Sequence, residues 1–269
     1  HPRPPYPTQS GLWGQPTSIN NVKTWANVPL IVRNGHDWFA GVGTEKSKGT
    51  MIFSLVGNIR NTGLVEVPMG ISLRELIYDV GGGIPGDKAF KAAQIGGPSG
   101  GCIPAEHLDV PVDYESLTDL GAIVGSGGLV VCDEGTCMVD LARYFLKFTQ
   151  EESCGKCVPC REGGTWLYRI LERIVAGEGT DADLDTILEV GQSICPGEMP
   201  HAASERLGLE ARPFPYQMTT ICFVGPSAYV PVHSAMTLVP EEFEALVTTR
   251  EGRTLIPVPA APAVAGGGS

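Results

Sequence analysis

The chain has 269 residues, a length that favours two or three small domains over a single core. Lys and Arg total 19 against 30 Asp and Glu, so the net charge is −11, and this acidity excludes nucleic-acid binding as a main role because it repels phosphate backbones. Apolar residues make up 42% of the chain, which excludes wholesale disorder.

The first 42 residues are rich in Pro, Gly, Trp and Asn and contain one helix-like stretch, near residues 20–32. They hold too few alternating apolar runs to close a core of their own. We therefore expect residues 1–42 to be the remnant of a larger domain.

A compact α+β domain is predicted to follow, over residues 43–132. Ser72 is placed to cap a short helix, with Glu75 at the capping-box position. Two strands, this helix and further strands in that order favour a β-grasp (ubiquitin-like) domain. The predicted elements are a helix at 73–80 and strands at 51–56, 63–68, 90–95 and 122–131.

From residue 133 to residue 250 the apolar pattern becomes helical, which predicts an antiparallel bundle. Thr180 and Asp183 form a capping-box pattern for its third helix. Pro240 is expected to break or restart the last helical stretch, within 232–247. Residues 195–218 are predicted to be irregular, and 251–269 to be a flexible tail.

Three of the eight cysteines, Cys154, Cys157 and Cys160, form a C-x2-C-x2-C run. This spacing keeps three sulfurs on one tight loop, in which Gly155 and Pro159 supply turn freedom and rigidity. Such a loop is typical of the ligands of a cubane iron–sulfur cluster, and a helix starting after Cys160 would point its positive end at the cluster.

The fourth ligand has to come from elsewhere, because Gly164 stands where bacterial ferredoxins have their next cysteine. Cys222 and Cys195 are the two candidates. We prefer Cys222 because it precedes the last bundle helix, where an antiparallel bundle returns to the cysteine loop. Three other cysteines lie among apolar residues and are expected to be buried core residues: Cys102, Cys132 and Cys137.

Zinc and disulfides are the alternatives to an iron–sulfur cluster. Zinc usually takes two separated pairs of ligands, and the sequence has no second C-x2-C pair. A three-cysteine loop cannot pair within itself without strain, and clustered thiols suggest a reducing compartment. The uncharged segment 213–240 contains five prolines, so we expect no membrane span there.

Long motifs resemble the NADH-binding flavoprotein subunit of respiratory complex I and of related NAD-linked hydrogenases and formate dehydrogenases. They cover essentially residues 1–250. The motifs are GLWGQPTSINNVKT from Gly11, WFAGVGTEKSKGT from Trp38, NTGLVEVPMG from Asn61, GGPSGGCIP from Gly96, SGGLVVCDEGTCMVD from Ser126, ESCGKCVPCREG from Glu152 and TTICFVGPSA from Thr219.

The resemblance implies an α+β multidomain chain: the remnant of an α/β flavin domain, a β-grasp domain and an antiparallel helical bundle that binds one [4Fe-4S] cluster. Cys154, Cys157, Cys160 and Cys222 fall on the family's cluster ligands. Asn20 and Asn21 fall on its FMN-contacting pair, with Thr24 beside them. The family's glycine-rich FMN and NADH loop has no counterpart here, so we expect the C-terminal portion of the subunit, without catalytic residues of its own.

The function implied is electron transfer, from NADH through FMN to the cluster and on to partner subunits. The partners implied are a thioredoxin-like [2Fe-2S] subunit and a larger iron–sulfur subunit. The location implied is cytoplasmic, peripheral on the cytoplasmic face of a membrane complex. Two alternatives remain open: the diaphorase subunit of an NAD-linked hydrogenase or formate dehydrogenase, and a non-redox β-grasp interaction module with a structural metal.

Overall fold

The computed structural model describes residues 5–196 and 219–248. Its helices are α1 Val22–Asn34, α2 His36–Ala40, α3 Tyr114–Asp119, α4 Met138–Glu151, α5 Gly164–Val175, α6 Asp181–Ile194, α7 Val224–Leu238 and α8 Pro240–Ala245. Its strands are β1 Thr50–Gly57, β2 Gly63–Pro68, β3 Phe90–Ile95, β4 Gly101–Pro104, β5 Gly128–Asp133, β6 Gly179–Thr180 and β7 Val247–Thr248. Two π-helical segments, Glu75–Val80 and Pro159–Gly163, complete the elements that matter below.

A mixed five-stranded sheet organises the first half of the described chain. Its strand order is β2-β1-β5-β3-β4, in which β1 and β5 pair in parallel and the other neighbours are antiparallel. Apolar side chains alternate along β1, so Met51, Phe53 and Leu55 face the core. The π-helical segment covers this face with Leu76 and Ile77, both fully buried. The result is one apolar core under one face of the sheet.

The predicted strands at 51–56, 63–68 and 90–95 are confirmed, but the one predicted at 122–131 is wrong at its start. The strand begins only at Gly128, because Gly125 and Gly127 have positive φ angles of 56° and 85° and turn the chain. Ala122 and Val124 are nevertheless buried in the sheet core. Their apolar character gave a strand-like pattern to an irregular segment that leads into a turn, in which Gly125 and Ser126 are exposed.

Helices α1 and α2 lie before the sheet and contact each other. They contain no buried residue, and Val22 and Val32 are among the most exposed apolar side chains. Helix α1, at Val22–Asn34, confirms the helix predicted near residues 20–32. Its origin in a larger domain stays a prediction.

Helices α4, α5, α6 and α7 pack together around one apolar cluster, and their antiparallel bundle arrangement remains a prediction. The capping box at Thr180 is confirmed, since Asp183 accepts hydrogen bonds from both the backbone N–H and the hydroxyl of Thr180. The predicted restart at Pro240 is confirmed, since α7 ends at Leu238 and Pro240 begins α8. Cys102 and Cys132 are buried as predicted, but the expectation for Cys137 is wrong: it occupies the N-cap position of α4 and is exposed.

A buried ion pair joins the sheet to the bundle. Lys91 of β3 donates to Glu242 of α8 at 2.7 Å, and both side chains are at least nine-tenths buried. The second carboxylate oxygen of Glu242 accepts from the backbone N–H of Met138 at 2.9 Å, at the N-terminus of α4. A carboxylate there complements both the unpaired N–H group and the helix dipole, so α4 starts at a fixed place on the sheet.

Hydrogen bonds also attach α7 to the sheet. Ser234 accepts from the backbone N–H of Cys102 at 2.8 Å, and the Ser99 and Ser227 hydroxyls lie 2.8 Å apart. The irregular segment 195–218 lies almost wholly, and the tail 251–269 wholly, outside the described residues. The boundaries at residues 42, 132 and 250 remain predictions.

Candidate metal centre

The loop after α4 carries Cys154 and Cys157 and leads into the π-helical turn Pro159–Gly163, which contains Cys160 and continues into α5. Gly155 takes a left-handed φ of 76°, which lets the chain reverse directly after Cys154. Arg161 closes the loop, since its guanidinium donates to the Gly155 carbonyl at 2.6 Å and its backbone N–H to the Cys157 carbonyl at 2.9 Å. The local sequence thus folds Cys154, Cys157 and Cys160 onto one small turn.

The three thiols differ in their surroundings. Cys154 is exposed, Cys157 is half-buried and Cys160 is buried. The sulfur of Cys160 lies 3.3 Å from the hydroxyl oxygen of Ser153, and the sulfur of Cys157 accepts from the backbone N–H of Ile221 at 3.4 Å. The loop therefore has polar groups in contact with two of its sulfurs.

The Ile221 contact brings the neighbouring Cys222 to the loop. This segment is anchored by Thr219, whose hydroxyl donates to the carbonyls of Ser193 and Ile194 at the end of α6. Thr220 holds it from the other side by donating to the carbonyl of Cys222 at 2.8 Å. Two threonines thus fix the turn before α7, and Cys222 remains exposed there.

The Cys160 thiol is influenced by burial, by Ser153 and by three other thiols. Burial raises the pKa of the Cys160 thiol, and the hydrogen bond with Ser153 opposes that rise. The negative charges of Cys222, Cys157 and Cys154 then raise the same pKa further. Cys160 therefore lies close enough to the other three predicted ligands for them to raise its pKa.

Cys195, the other candidate for the fourth ligand, lies in a different environment. It ends α6, its backbone N–H donates to the carbonyl of Gly191 at 2.8 Å, and its side chain is buried in the apolar cluster of the bundle. Cys222 contributes to the rise in the pKa of Cys160, and it follows Ile221, whose backbone N–H donates to the sulfur of Cys157 at 3.4 Å. This geometry favours the sequence-based preference for Cys222.

Four thiols from one loop and one helix entry are the donor set that a [4Fe-4S] cluster uses, so these residues fit that group. Within residues 5–196 and 219–248, no three His, Cys, Asp or Glu side chains are arranged to chelate a single metal ion. A cubane cluster makes a different demand, because each thiolate binds a separate iron.

A second candidate site is a cavity of about 510 Å³ between α1, α2 and the sheet. Asn21 and Thr24 line it, whereas Asn20 is exposed, donates to Ser18 at 3.4 Å and is not among the lining residues. The structure thus brings together two of the three residues expected at FMN.

Lys23 also lines this cavity and was missed by the sequence analysis. Its ammonium group donates to the sulfur of Met51 at 3.4 Å, and burial lowers its pKa while Glu66 opposes that change. The signal that could have found it is the four-residue spacing of Lys23, Asn27 and Ile31, which places all three on one face of α1.

Two polar groups at the cysteine loop were missed as well, the hydroxyl of Ser153 and the backbone N–H of Ile221. Their contacts to sulfur depend on the folded loop and on the approach of the turn before α7. No spacing in the sequence indicates either contact.

Family models match two parts of the chain. The model "NADH-ubiquinone oxidoreductase-F iron-sulfur binding region" matches residues 140–199, and the SLBB domain model matches residues 52–103. The chain is 49% identical to the NADP-reducing hydrogenase subunit HndC of Solidesulfovibrio fructosivorans, over 93% of this chain and 46% of that protein. It is 38% identical to the F subunit of the NADH-quinone oxidoreductase of Streptomyces coelicolor, over 92% of this chain and 50% of that protein.

The chain belongs to the family of NADH-quinone oxidoreductase F subunits. It also resembles a solved structure, the NAD⁺-reducing [NiFe]-hydrogenase in the air-oxidized state, with a TM-score of 0.72 and 30% identity over 94% of this chain and 40% of that one. The mixed α/β architecture is thus similar to that of a hydrogenase subunit. The chain spans about half the length of the curated relatives it matches.

The iron–sulfur match includes the three-cysteine loop of this family member and also Cys195, and it stops before Cys222. The match therefore leaves the fourth ligand undecided, and the preference for Cys222 depends on the contacts described above. In the described part of the chain, no helix combines the length and the apolar character that crossing a membrane requires.

Proposed function

We propose that this chain is the electron-transfer portion of an NADH dehydrogenase flavoprotein subunit, holding a [4Fe-4S] cluster through Cys154, Cys157, Cys160 and Cys222. The observation that carries the proposal is the 3.4 Å hydrogen bond from the backbone N–H of Ile221 to the sulfur of Cys157, which brings Cys222 to the three-cysteine loop, together with the iron–sulfur family match. Bound there, such a cluster supplies a one-electron carrier. In the full subunit, NADH would deliver electrons through FMN, and partner iron–sulfur subunits would receive them.

The chain's own residues have three tasks in this function. The loop and the turn before α7 hold four thiolates in position, with Thr219 and Thr220 fixing the turn. Exposed Lys156, between Cys154 and Cys157 in the chain, contributes positive charge to the loop, which favours the reduced state because that state is the more negative one; the Arg161 charge is paired with Glu162 at 2.7 Å. The N-terminal turns leading into α5 add a positive dipole end.

We further propose that residues 43–132 form a β-grasp domain of the soluble-ligand-binding type. Its support is the strand order with a central parallel pair, β1 and β5, and the SLBB match at residues 52–103. The remaining proposed units are residues 1–42 as part of a flavin domain and residues 133–250 as the cluster-binding bundle. Asn21 and Thr24 would contact FMN from the cavity beside α1, and Asn20 would contribute only from outside it.

The proposed partners are a thioredoxin-like [2Fe-2S] subunit and a larger iron–sulfur subunit. A second candidate function is the diaphorase subunit of an NAD-linked hydrogenase, because two of the similar proteins are hydrogenases. Affinity purification from the native source separates the two, since co-purification with a hydrogenase catalytic subunit supports the second function. The proposed location is peripheral, on the cytoplasmic face of a membrane complex.

Metal and sulfide analysis with EPR spectroscopy tests the central proposal. The anaerobically purified chain is expected to contain about four irons and four sulfides and to give an EPR signal after dithionite reduction. Stoichiometric zinc without iron or acid-labile sulfide would contradict the redox function. That result would favour the interaction module with a structural metal.

A further inference from the structure

Ser153 has contacts that the proposed function has not used. It directly precedes Cys154 and is half-buried. Its hydroxyl oxygen lies 3.3 Å from the sulfur of Cys160, seven residues ahead, and accepts from the backbone N–H of Gly155 at 3.3 Å. The hydroxyl therefore sits between a backbone donor and the most buried sulfur of the loop.

The direction of the Ser153–Cys160 hydrogen bond follows from counting hydrogens. The N–H of Gly155 already occupies one lone pair of the Ser153 oxygen, and the hydroxyl has a single hydrogen to give. A Cys160 sulfur that binds iron is a thiolate and carries no hydrogen. The hydroxyl of Ser153 must then be the donor and the sulfur the acceptor.

We propose that Ser153 raises the reduction potential of the cluster by donating a hydrogen bond to the sulfur of Cys160, an inference that rests on the proposed function. One-electron reduction adds negative charge to the cluster and its sulfurs, and a donor to sulfur stabilises the more negative state. The effect is strong here because Cys160 is buried, and a low local dielectric strengthens a charge-assisted hydrogen bond. Ser153 acts through Cys160, so it is a positioning residue rather than a ligand.

The test is a redox titration followed by EPR on the whole chain and on four variants. Ser153→Ala and Ser153→Val remove the hydroxyl, and Ser153→Thr retains it with nearly the shape of valine. Thr165→Val is the matched control, because the Thr165 hydroxyl lies next to the same loop but donates to the carbonyl of Arg161 at 2.8 Å rather than to sulfur.

The alanine and valine variants are expected to bind full iron and sulfide while their midpoint potential moves negative. A tenfold loss in the equilibrium constant for reduction, about 59 mV for one electron, is the expected size. Ser153→Thr and Thr165→Val are expected to stay at the potential of the unmodified chain. A merely structural role for Ser153 would change iron content or thermal stability and leave the potential of the loaded protein unchanged.

Three outcomes contradict the inference in different ways. An unchanged potential in a fully loaded alanine or valine variant overturns it and leaves the proposed function intact. If neither variant loads iron while the threonine variant does, the hydroxyl is needed for assembly, and a potential-setting role is overturned. Absence of iron and sulfide from the unmodified chain overturns the proposed function and this inference together.

Discussion

Eight cysteines carry the same thiol group, but at the scale of single residues the surroundings of each thiol decide what it can do. Burial raises the pKa of both Cys102 and Cys132 to about 12, so these thiols stay protonated and behave as small apolar residues. Cys154 and Cys222 are exposed and lie beside a buried third thiol, Cys160. Core cysteines and predicted ligand cysteines therefore differ in their neighbours rather than in burial alone, since Cys160 is buried and Cys137 is exposed.

Substitution of the two candidate fourth ligands tests the site directly. Cys222→Ser is expected to lose the [4Fe-4S] signal or convert the cluster, because a hard oxygen is a poor replacement for thiolate. Cys195→Ser, the matched control, is expected to keep about four irons, with a modest loss of stability from a polar group in the bundle core. Iron analysis and EPR of both variants provide the measurement. Iron loss in Cys195→Ser together with retention in Cys222→Ser would make Cys195 the fourth ligand.

His233 on α7 is a second residue whose environment decides its charge. Its Nε2 atom is enclosed and has no hydrogen-bond partner in the described chain, and the ring lies edge-on to Tyr229 with centroids 5.5 Å apart. Burial lowers its pKa from 6.5 to about 4. The folded protein therefore holds this imidazole neutral, whereas the unfolded chain protonates it below about pH 6.5.

This difference predicts a loss of stability in mild acid. Between pH 6.5 and 4 the unfolded state binds the extra proton, so stability falls as the pH decreases and is fully present only above pH 6.5. From pH 7 to pH 5 the contribution is about 2 kcal/mol. His233→Asn should remove this pH dependence in thermal unfolding scans, and His107→Asn, at an exposed histidine, should leave it unchanged. Equal acid sensitivity of the unmodified chain and His233→Asn would refute the assignment.

At the level of secondary-structure elements, one close approach fixes how α6 packs against α7. Gly191 lies inside α6 with the ring of Tyr229 directly against the position that a Cβ would occupy. A glycine within a helix normally costs about 1 kcal/mol relative to alanine. Here the missing Cβ leaves room for the Tyr229 ring of α7 against α6. Two residues after Gly191, the carbonyl of Ser193 in α6 accepts the hydrogen bond from Thr219 that anchors the turn before α7.

Opposite effects of two glycine substitutions test this packing. Gly191→Ala is expected to destabilise the protein by about 2 kcal/mol, because overpacking outweighs the gain in helix propensity. Gly164→Ala, in α5 with a φ of −59° and no atom near the added Cβ, is expected to stabilise it by about 0.5–1 kcal/mol. Denaturant unfolding of both variants provides the measurement. Stabilisation by Gly191→Ala would show that the Tyr229 ring moves aside freely.

Across the whole molecule, the sheet and the bundle are one packed body, whereas α1 and α2 bury none of their residues. Lys91 and Glu242 connect the two larger parts through a buried pair that also starts α4. The cluster loop follows α4 directly, so its position is set by this junction. The cavity beside α1 is lined by polar groups of Lys23 and Thr24 in α1 and of Asn21 at its N-cap position.

Because the sheet and the bundle are well packed while α1 and α2 bury no residue, we predict that the isolated 269-residue chain binds the cluster but does not oxidise NADH. Two side-chain amides or hydroxyls supply only a few kcal/mol of hydrogen bonding, about 1 kcal/mol each, which falls short of the cost of immobilising FMN and a dinucleotide. Tight binding of their phosphates needs backbone N–H groups at a glycine-rich turn, and the sequence of residues 1–42 has no glycine-rich strand-to-helix pattern.

The measurement is FMN retention after gel filtration, together with NADH-dependent ferricyanide reduction. Neither is expected from the cluster-loaded chain, with or without added free FMN. The cluster EPR signal serves as the internal control that the protein is folded and loaded. Co-elution of stoichiometric FMN with measurable ferricyanide reduction would contradict the prediction and identify a flavin site on these residues alone.

Features that follow from local pattern could be predicted from the amino-acid sequence. The alternation along β1 and the helical spacing in α4 identify these elements because the burial of one face repeats with a fixed period. The capping box at Thr180 identifies a helix start from residues that are three positions apart. The spacing of Cys154, Cys157 and Cys160 predicts a cluster-binding loop because it keeps three sulfurs on one short segment.

Features that depend on contacts between distant residues could not be predicted in this way, because no local period encodes them. The folded chain makes residues 122–127 irregular rather than a strand, with Ala122 and Val124 buried before a turn, and leaves Cys137 exposed at the start of α4. It also brings Cys222 to the loop across more than sixty intervening residues while Cys195 stays in the bundle core. Either cysteine could bind iron as a thiolate or be buried as a small apolar side chain. Tertiary packing alone decides which environment each one has.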